Sequence, residues 1–212
     1  MNNNSMVRAF DFEIRAESNE KYGDYITGRP IVYGAKANIG GQFIEIIERG
    51  ALDKADLKDV AFLVNHNTSM IPLARSRNNN ENSTMQMEVD DKGLIIRVNL
   101  DTENNSDARN LYSAVKRGDI TGMSFAFNIE KDGSRWEDLK SNLPTRYIRS
   151  ISKVYEVSAV TRPAYESTEI SARDKEALDS AKATLDSVRS QSLDSEKELL
   201  ELEKAKNKNK NF

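Results

Sequence analysis

The stretch "TGMSFAFNIE", residues 121–130, reads as a strand with two unlike faces. Met123, Phe125 and Phe127 alternate with Gly122, Ser124 and Ala126. Alternate residues of a strand point to opposite sides of a sheet, so the bulky set belongs in a core. The small set leaves room for something to approach the backbone, as an extended peptide would need. Close packing beneath a helix explains the same pattern more simply.

Working outward, "SDARNLYSAVKRG" (106–118) has the spacing of an amphipathic helix. Ala108, Leu111, Tyr112 and Val115 share a face, Asn105 or Ser106 can cap its start, and Gly118 can end it. "TMQMEV" and "GLIIRVNL" flank "DDKG" (90–93), a hairpin signal. "VAFLVN" (60–65) is a β-branched and aromatic run leading into His66. "VRAFDFEIRA" and "DYITGRPIVYG" suggest two more strands, the second interrupted by Gly28 and Pro30. "RGALDKADLKD" is a short helix or turn. "YIRSISKVYEVSAV" (147–160) is a long strand or a bent pair, stopped by Pro163. Many strands around few helices predict an antiparallel barrel or curled sheet carrying helices.

Residues 173–206 differ in kind. They lose nearly all aromatics, Gly and Pro and become charged and helix-forming, and "NKNKNF" at the end reads as a solvated tail. Leu178, Leu185, Ser192 and Leu199 are spaced by seven, as are Ala181, Val188, Ser195 and Leu202. The serines weaken this seam, which suits a long amphipathic helix or a partly helical linker. The expected division is a domain at 1–172 and a charged helical or partly disordered tail at 173–212.

Composition narrows the chemistry. The 212 residues hold one histidine and no cysteine, with a formal net charge of −3. Disulfides, thiolate catalysis and Cys-based zinc sites are excluded, as is any site needing two imidazoles. An acidic balance argues against nucleic acid as a partner over the whole chain. No apolar run is long enough to span a bilayer, and "MNNNSMVRAF" lacks the apolar core of a secretory signal. Together these predict a soluble, intracellular protein.

Three residues could act together. Ser124 lies on the small face already described. His66 follows Val60, Phe62 and Val64, and taken alone such a histidine is more simply a structural hydrogen-bonder. Glu156 lies on a strand that is apolar on both sides, so its carboxylate is expected to be at least partly buried. A buried carboxylate needs a partner. His66 is one candidate, and Arg146, Arg149 and Arg162 are the plainer ones.

"ERGAL" (48–52), "FLVNHN" (62–67), "DKGLIIRVNL" (91–100), "AVKRGDITGMSFAF" (114–127) and "YEVSAVTRPAY" (155–165), in this order, resemble the prohead (capsid maturation) serine proteases of tailed bacteriophages. Those proteases are related in fold to the herpesvirus assemblins. The resemblance covers about residues 8–171. It implies a small closed antiparallel β-barrel surrounded by helices. It also implies a serine endopeptidase that works inside the assembling procapsid, in the host cytoplasm. Its targets would be scaffold protein or the N-terminal arm of the major capsid protein, with self-cleavage and self-association as further expectations. The family's nucleophile falls on Ser124, its histidine on His66 and the acidic position of its "EVS" motif on Glu156. Assemblins use a second histidine as third member, which this chain lacks; Asp119 and Asp101 are the reserve candidates. Oxyanion donors are placed only loosely, near Arg162. No metal, cofactor, nucleic acid or membrane is implied. A non-enzymatic scaffold or capsid-assembly protein on the same fold is the competing reading. A carboxylate-bound metal hydrolase is a poorer one.

Overall fold

The alternating runs become thirteen strands among the residues that the computed structural model describes, which are 6–10, 14–161, 174–184 and 186–187. The first five are β1 (Met6–Phe10), β2 (Ile14–Asn19), β3 (Gly23–Val32), β4 (Lys36–Ile39) and β5 (Phe43–Ile47). Next come β6 (Asp59–Val64), β7 (Ala74–Arg77), β8 (Met85–Asp90) and β9 (Gly93–Asn99). Helix α1 (Ser106–Arg117) is followed by β10 (Gly122–Ile129), β11 (Ser134–Glu137), β12 (Thr145–Ile148) and β13 (Ile151–Val160). The chain divides into two compact units, Met1–Ile170 and Ser171–Phe212.

The expected closed antiparallel barrel surrounded by helices is not what forms. The strands make three open sheets, ordered β1-β10-β13-β6-β7, β11-β12-β5-β4 and β2-β3-β9-β8. Two pairings are parallel, β13 with β6 and β12 with β5. Closure requires the end strands of a sheet to pair with each other, and among the described residues none do. Helices do not surround the sheets either: α1 is the one described helix of the first unit. Alternation along a strand reports its faces but not its partners, which is why it did not distinguish these cases.

Several local readings hold. β8 and β9 form the hairpin, with Asp90 opposite Gly93. The Asp90 side chain closes the turn by accepting from the Lys92 and Gly93 backbone N–H groups at 2.8 and 3.0 Å. Gly93 is needed for two reasons. Its φ is +136°, and a Cβ there would lie 2.0 Å from the Ile31 carbonyl oxygen of β3. α1 starts at Asn105, whose side chain accepts from the Asp107 and Ala108 N–H groups, and ends at Gly118 in the left-handed conformation. It buries Ala108, Leu111 and Val115. The run 147–160 is a bent pair: it leaves the second sheet after Ile148 and enters the first at Ile151. Gly28 and Pro30 do not end β3 but leave a register irregularity between Gly28 and Ile31. Of the two readings of 49–59 the turn holds: residues 49–54 form turns, with no helix before β6 starts at Asp59.

The bulky face of β10 enters the core as expected, where Met123, Phe125 and Phe127 join Phe62, Val157 and Leu94. A buried ion pair ties the first sheet to the second. Arg8 of β1 and Glu45 of β5 are each 2% exposed. The Arg8 guanidinium engages both oxygens of the carboxylate, Nη2 at 2.9 Å from Oε2. Arg146 of β12 adds a second positive charge at 3.7 Å.

In the second unit, residues 174–184 are helical. Asp174 and Leu178 are buried, and Ala177 and Ala181 half-buried, at helical spacing. Leu185 and the seam positions from Val188 onward lie outside the described residues.

Two stability predictions follow from these contacts. Gly93→Ala should destabilise the fold by at least about 1–3 kcal/mol in chemical denaturation. Gly23→Ala, also at positive φ but with open space around it, should cost less. Equal losses at the two sites would remove the close approach to Ile31 as the cause. Glu45→Ala removes the carboxylate that faces two buried guanidiniums and should cost about 3–5 kcal/mol, read in the same way.

Candidate active site

His66 is reached through a turn and not along a strand. β6 ends at Val64, and Asn65 and His66 both adopt left-handed backbone, φ +50° and +57°. Such conformations carry a cost for any residue but Gly, although Asn and His adopt them more often than most. The turn is therefore held by bonds to β13 and beyond. The Asn65 N–H donates to the Ala159 carbonyl at 2.9 Å, and its side-chain oxygen accepts from the Thr161 N–H at 3.0 Å. The His66 N–H donates to the Ser158 hydroxyl at 3.1 Å.

Ser124 lies in β10, between Ala9 of β1 and Ser158 of β13. Glu156 lies opposite Ala126 on the same pairing and beside Ala61 of β6. Cross-strand partners share a face, so Ser124, Ala126, Glu156 and Ser158 form one patch. Burial there is nearly complete: Ser124 and Ser158 are 0% exposed and Glu156 1%, while the His66 side chain retains 23%.

The polar atoms of this patch form a single chain of contacts. His66 Nε2 is 2.6 Å from Ser124 Oγ, and Nδ1 is 2.5 Å from Glu156 Oε1. Glu156 Oε2 accepts from the Ser158 hydroxyl at 2.6 Å. Proton accounting then orders the site. An ionised carboxylate only accepts, so Nδ1 carries the proton of a neutral imidazole. Nε2 is then bare and turns its lone pair to Ser124. The Ser124 hydroxyl has one proton and two acceptors, because the Arg8 carbonyl oxygen is also within 2.7 Å. Once Nε2 gains a proton it becomes a donor to Oγ, and the hydroxyl is free to bond Arg8.

The three residues singled out in the sequence are thus linked through His66, which lies within hydrogen-bonding distance of both Ser124 and Glu156. The other candidates lie elsewhere. Asp119 is exposed and pairs with Arg117 at 2.5 Å, and Asp101 accepts from the Asn104 N–H before α1. Arg146 faces Glu45, and Arg149 donates to the Asp132 carbonyl. Arg162 lies outside the described residues. Sequence reasoning did not single out Ser158 or the Arg8 carbonyl. Ser158 had a signal, its place two residues from Glu156 on the same strand face. A backbone carbonyl from β1 had none.

The comparisons with known proteins agree on one family. Residues 10–183 match the family model of the caudovirus prohead serine proteases. Among curated proteins, the prohead protease of Enterobacteria phage HK97 is 32% identical over 132 residues, 60% of this chain and 52% of that protein. The chain therefore spans about half the length of that relative. No solved structure matches.

Proposed function

The chain belongs to the caudovirus prohead serine protease family, and from that premise we propose that it is a serine endopeptidase of capsid maturation acting through Ser124, His66 and Glu156. The observation that carries this reading is the unbroken contact chain Ser124 Oγ–His66 Nε2 and His66 Nδ1–Glu156 Oε1.

Ser124 is the nucleophile. A hydroxyl attacks an amide carbonyl poorly at neutral pH, so His66 Nε2 takes its proton as the Oγ–carbon bond forms. The imidazolium returns that proton to the leaving amine as the C–N bond breaks. Water then enters, gives a proton to Nε2, attacks the acyl carbon and releases the new carboxyl group, restoring the Ser124 hydroxyl. Glu156 keeps the proton of neutral His66 on Nδ1 and offsets the positive charge that the ring acquires. Its burial strengthens that electrostatic support.

The substrates on this reading are scaffold protein or the N-terminal arm of the major capsid protein, cut inside the assembling procapsid. Residues 1–172 form the protease domain. The charged tail, 173–212, delivers or retains it there and is itself a target of self-cleavage. Among the described residues no helix is long and apolar enough to cross a membrane.

Ser124→Ala should abolish processing of co-expressed capsid or scaffold protein without loss of fold, read by mass spectrometry of the products. Complete cleavage by that variant removes Ser124 from the mechanism. Glu156→Gln keeps the size but not the charge, and it can present an N–H to Nδ1. Its rate should fall by up to about 10⁴-fold. The double variant should be no worse than Ser124→Ala, because members of such a unit do not act additively. Near-normal activity per folded Glu156→Gln molecule sinks the assignment of Glu156. Chains ending at 173 should fold and melt near the full-length chain; aggregation or a much lower Tm would show that the tail belongs to the core.

A further inference from the structure

We propose that Ser158 is a positioning residue that locks Glu156 and His66 to each other and thereby holds the imidazole in register with Ser124. This rests on the protease reading above and extends it to a side chain whose hydroxyl bonds Glu156 and the His66 backbone.

The geometry is specific. The Ser158 hydroxyl donates to Glu156 Oε2 at 2.6 Å and accepts from the His66 backbone N–H at 3.1 Å. One oxygen therefore joins the carboxylate to the main chain of the residue whose ring the carboxylate supports. Together with the Nδ1–Oε1 contact this closes a loop of interactions. Glu156 is held at both oxygens and His66 at both backbone and ring. With one contact alone the carboxylate could rotate about its terminal bond and the ring could follow. With two, rotation breaks a bond in a place sealed from water, where a lost partner is not replaced.

Sheet pairing does not explain the hydroxyl. Ser158 is placed by main-chain register, opposite Ser124 on β10 and beside Leu63 on β6, and any small residue would satisfy that pairing. Alanine would fill nearly the same space on a fully buried face. What alanine removes is one donor and one acceptor. The donor serves an anion that is 1% exposed. The acceptor serves the N–H of a residue at φ +57°, a conformation that needs outside support. Removing either lets His66 or Glu156 settle in a different place, and a displacement of about 1 Å in a catalytic group lowers rates by up to about 100-fold.

The chain offers a direct readout. His66 is its single histidine, so imidazole N–H signals in the NMR spectrum belong to one residue. The full-length wild-type protein should show one low-field Nδ1–H resonance from the contact with Glu156. Ser158→Ala should shift or lose that resonance and lower kcat by up to about 100-fold, with KM little changed. Ser158→Thr, which keeps the hydroxyl, should recover both. Ser158→Thr and Ser158→Val share one shape and differ in the hydroxyl, so they carry the same comparison if the Ala variant does not fold. An unmoved resonance with wild-type kcat in Ser158→Ala overturns the proposal. So does equal behaviour of the Thr and Val variants, which would assign the site to packing. The NMR arm stands apart from the protease reading, which fails separately if Ser124→Ala cleaves normally.

Discussion

The parallel pairing of β13 with β6 is the constraint on which the rest of the site depends. It sets Glu156 beside Ala61, Ser158 beside Leu63 and Ala159 beside Val64. The chain leaving β6 therefore turns just past Ser158, and His66 comes to rest against both Ser158 and Glu156. Parallel neighbours cannot be joined by a tight turn. The intervening residues, 65–150, supply the connection, and they contain β7, β8 and β9, helix α1, and β10, β11 and β12. On its other side β13 pairs antiparallel with β10, which brings in Ser124. A register slip of one residue at either junction would carry Ser124 or Glu156 to the opposite face. The polar groups would then sit among the core side chains that now surround Phe125 and Val157.

Two buried carboxylates illustrate how environment separates a group with fixed compensation from one whose compensation can change. Glu45 sits between Arg8 and Arg146, whose charge is permanent. Its compensation never changes, and its role is to join β1 to β5. Glu156 is equally buried, yet its described side-chain partners are a neutral hydroxyl and an imidazole. Its negative charge is fully matched only when His66 takes a second proton. That is the moment at which a nucleophile on Nε2 would be releasing one. The same desolvation that would make a lone carboxylate costly would give this one a stronger hold on the charge that the ring gains in the proposed reaction.

Some of this was legible locally. The capped helix, the Asp90–Gly93 hairpin and the two-faced β10 were all readable because their signals lie within a few residues of each other. The short strands β4, β5, β7 and β11 were not. β5, "FIEII", has no polar alternation, and its central Glu45 looks like a solvent-facing residue until Arg8 and Arg146 arrive from 37 residues upstream and from the far end of the domain. The barrel expectation failed for a related reason. Strand patterns predicted a β-rich body, but whether sheet edges meet depends on pairings that no single strand encodes.

By itself the sequence determined which chemistry was available: one imidazole, no thiol, a serine on an uncrowded face and a glutamate on a strand too apolar to leave it in water. It also carried the order of segments that marks the family. Only the tertiary structure decided which residues meet. It brought Glu156 to His66 and not to an arginine, placed the Ser158 hydroxyl between them, and set the Arg8 carbonyl against Ser124. It also put His66 in a left-handed turn instead of at the end of a strand face. The physical reason is range. Strand, cap and turn preferences are settled among neighbours in the chain. The partners of a buried hydroxyl or carboxylate are settled by strand register between segments about 90 residues apart, through the competition of every pairing in the fold.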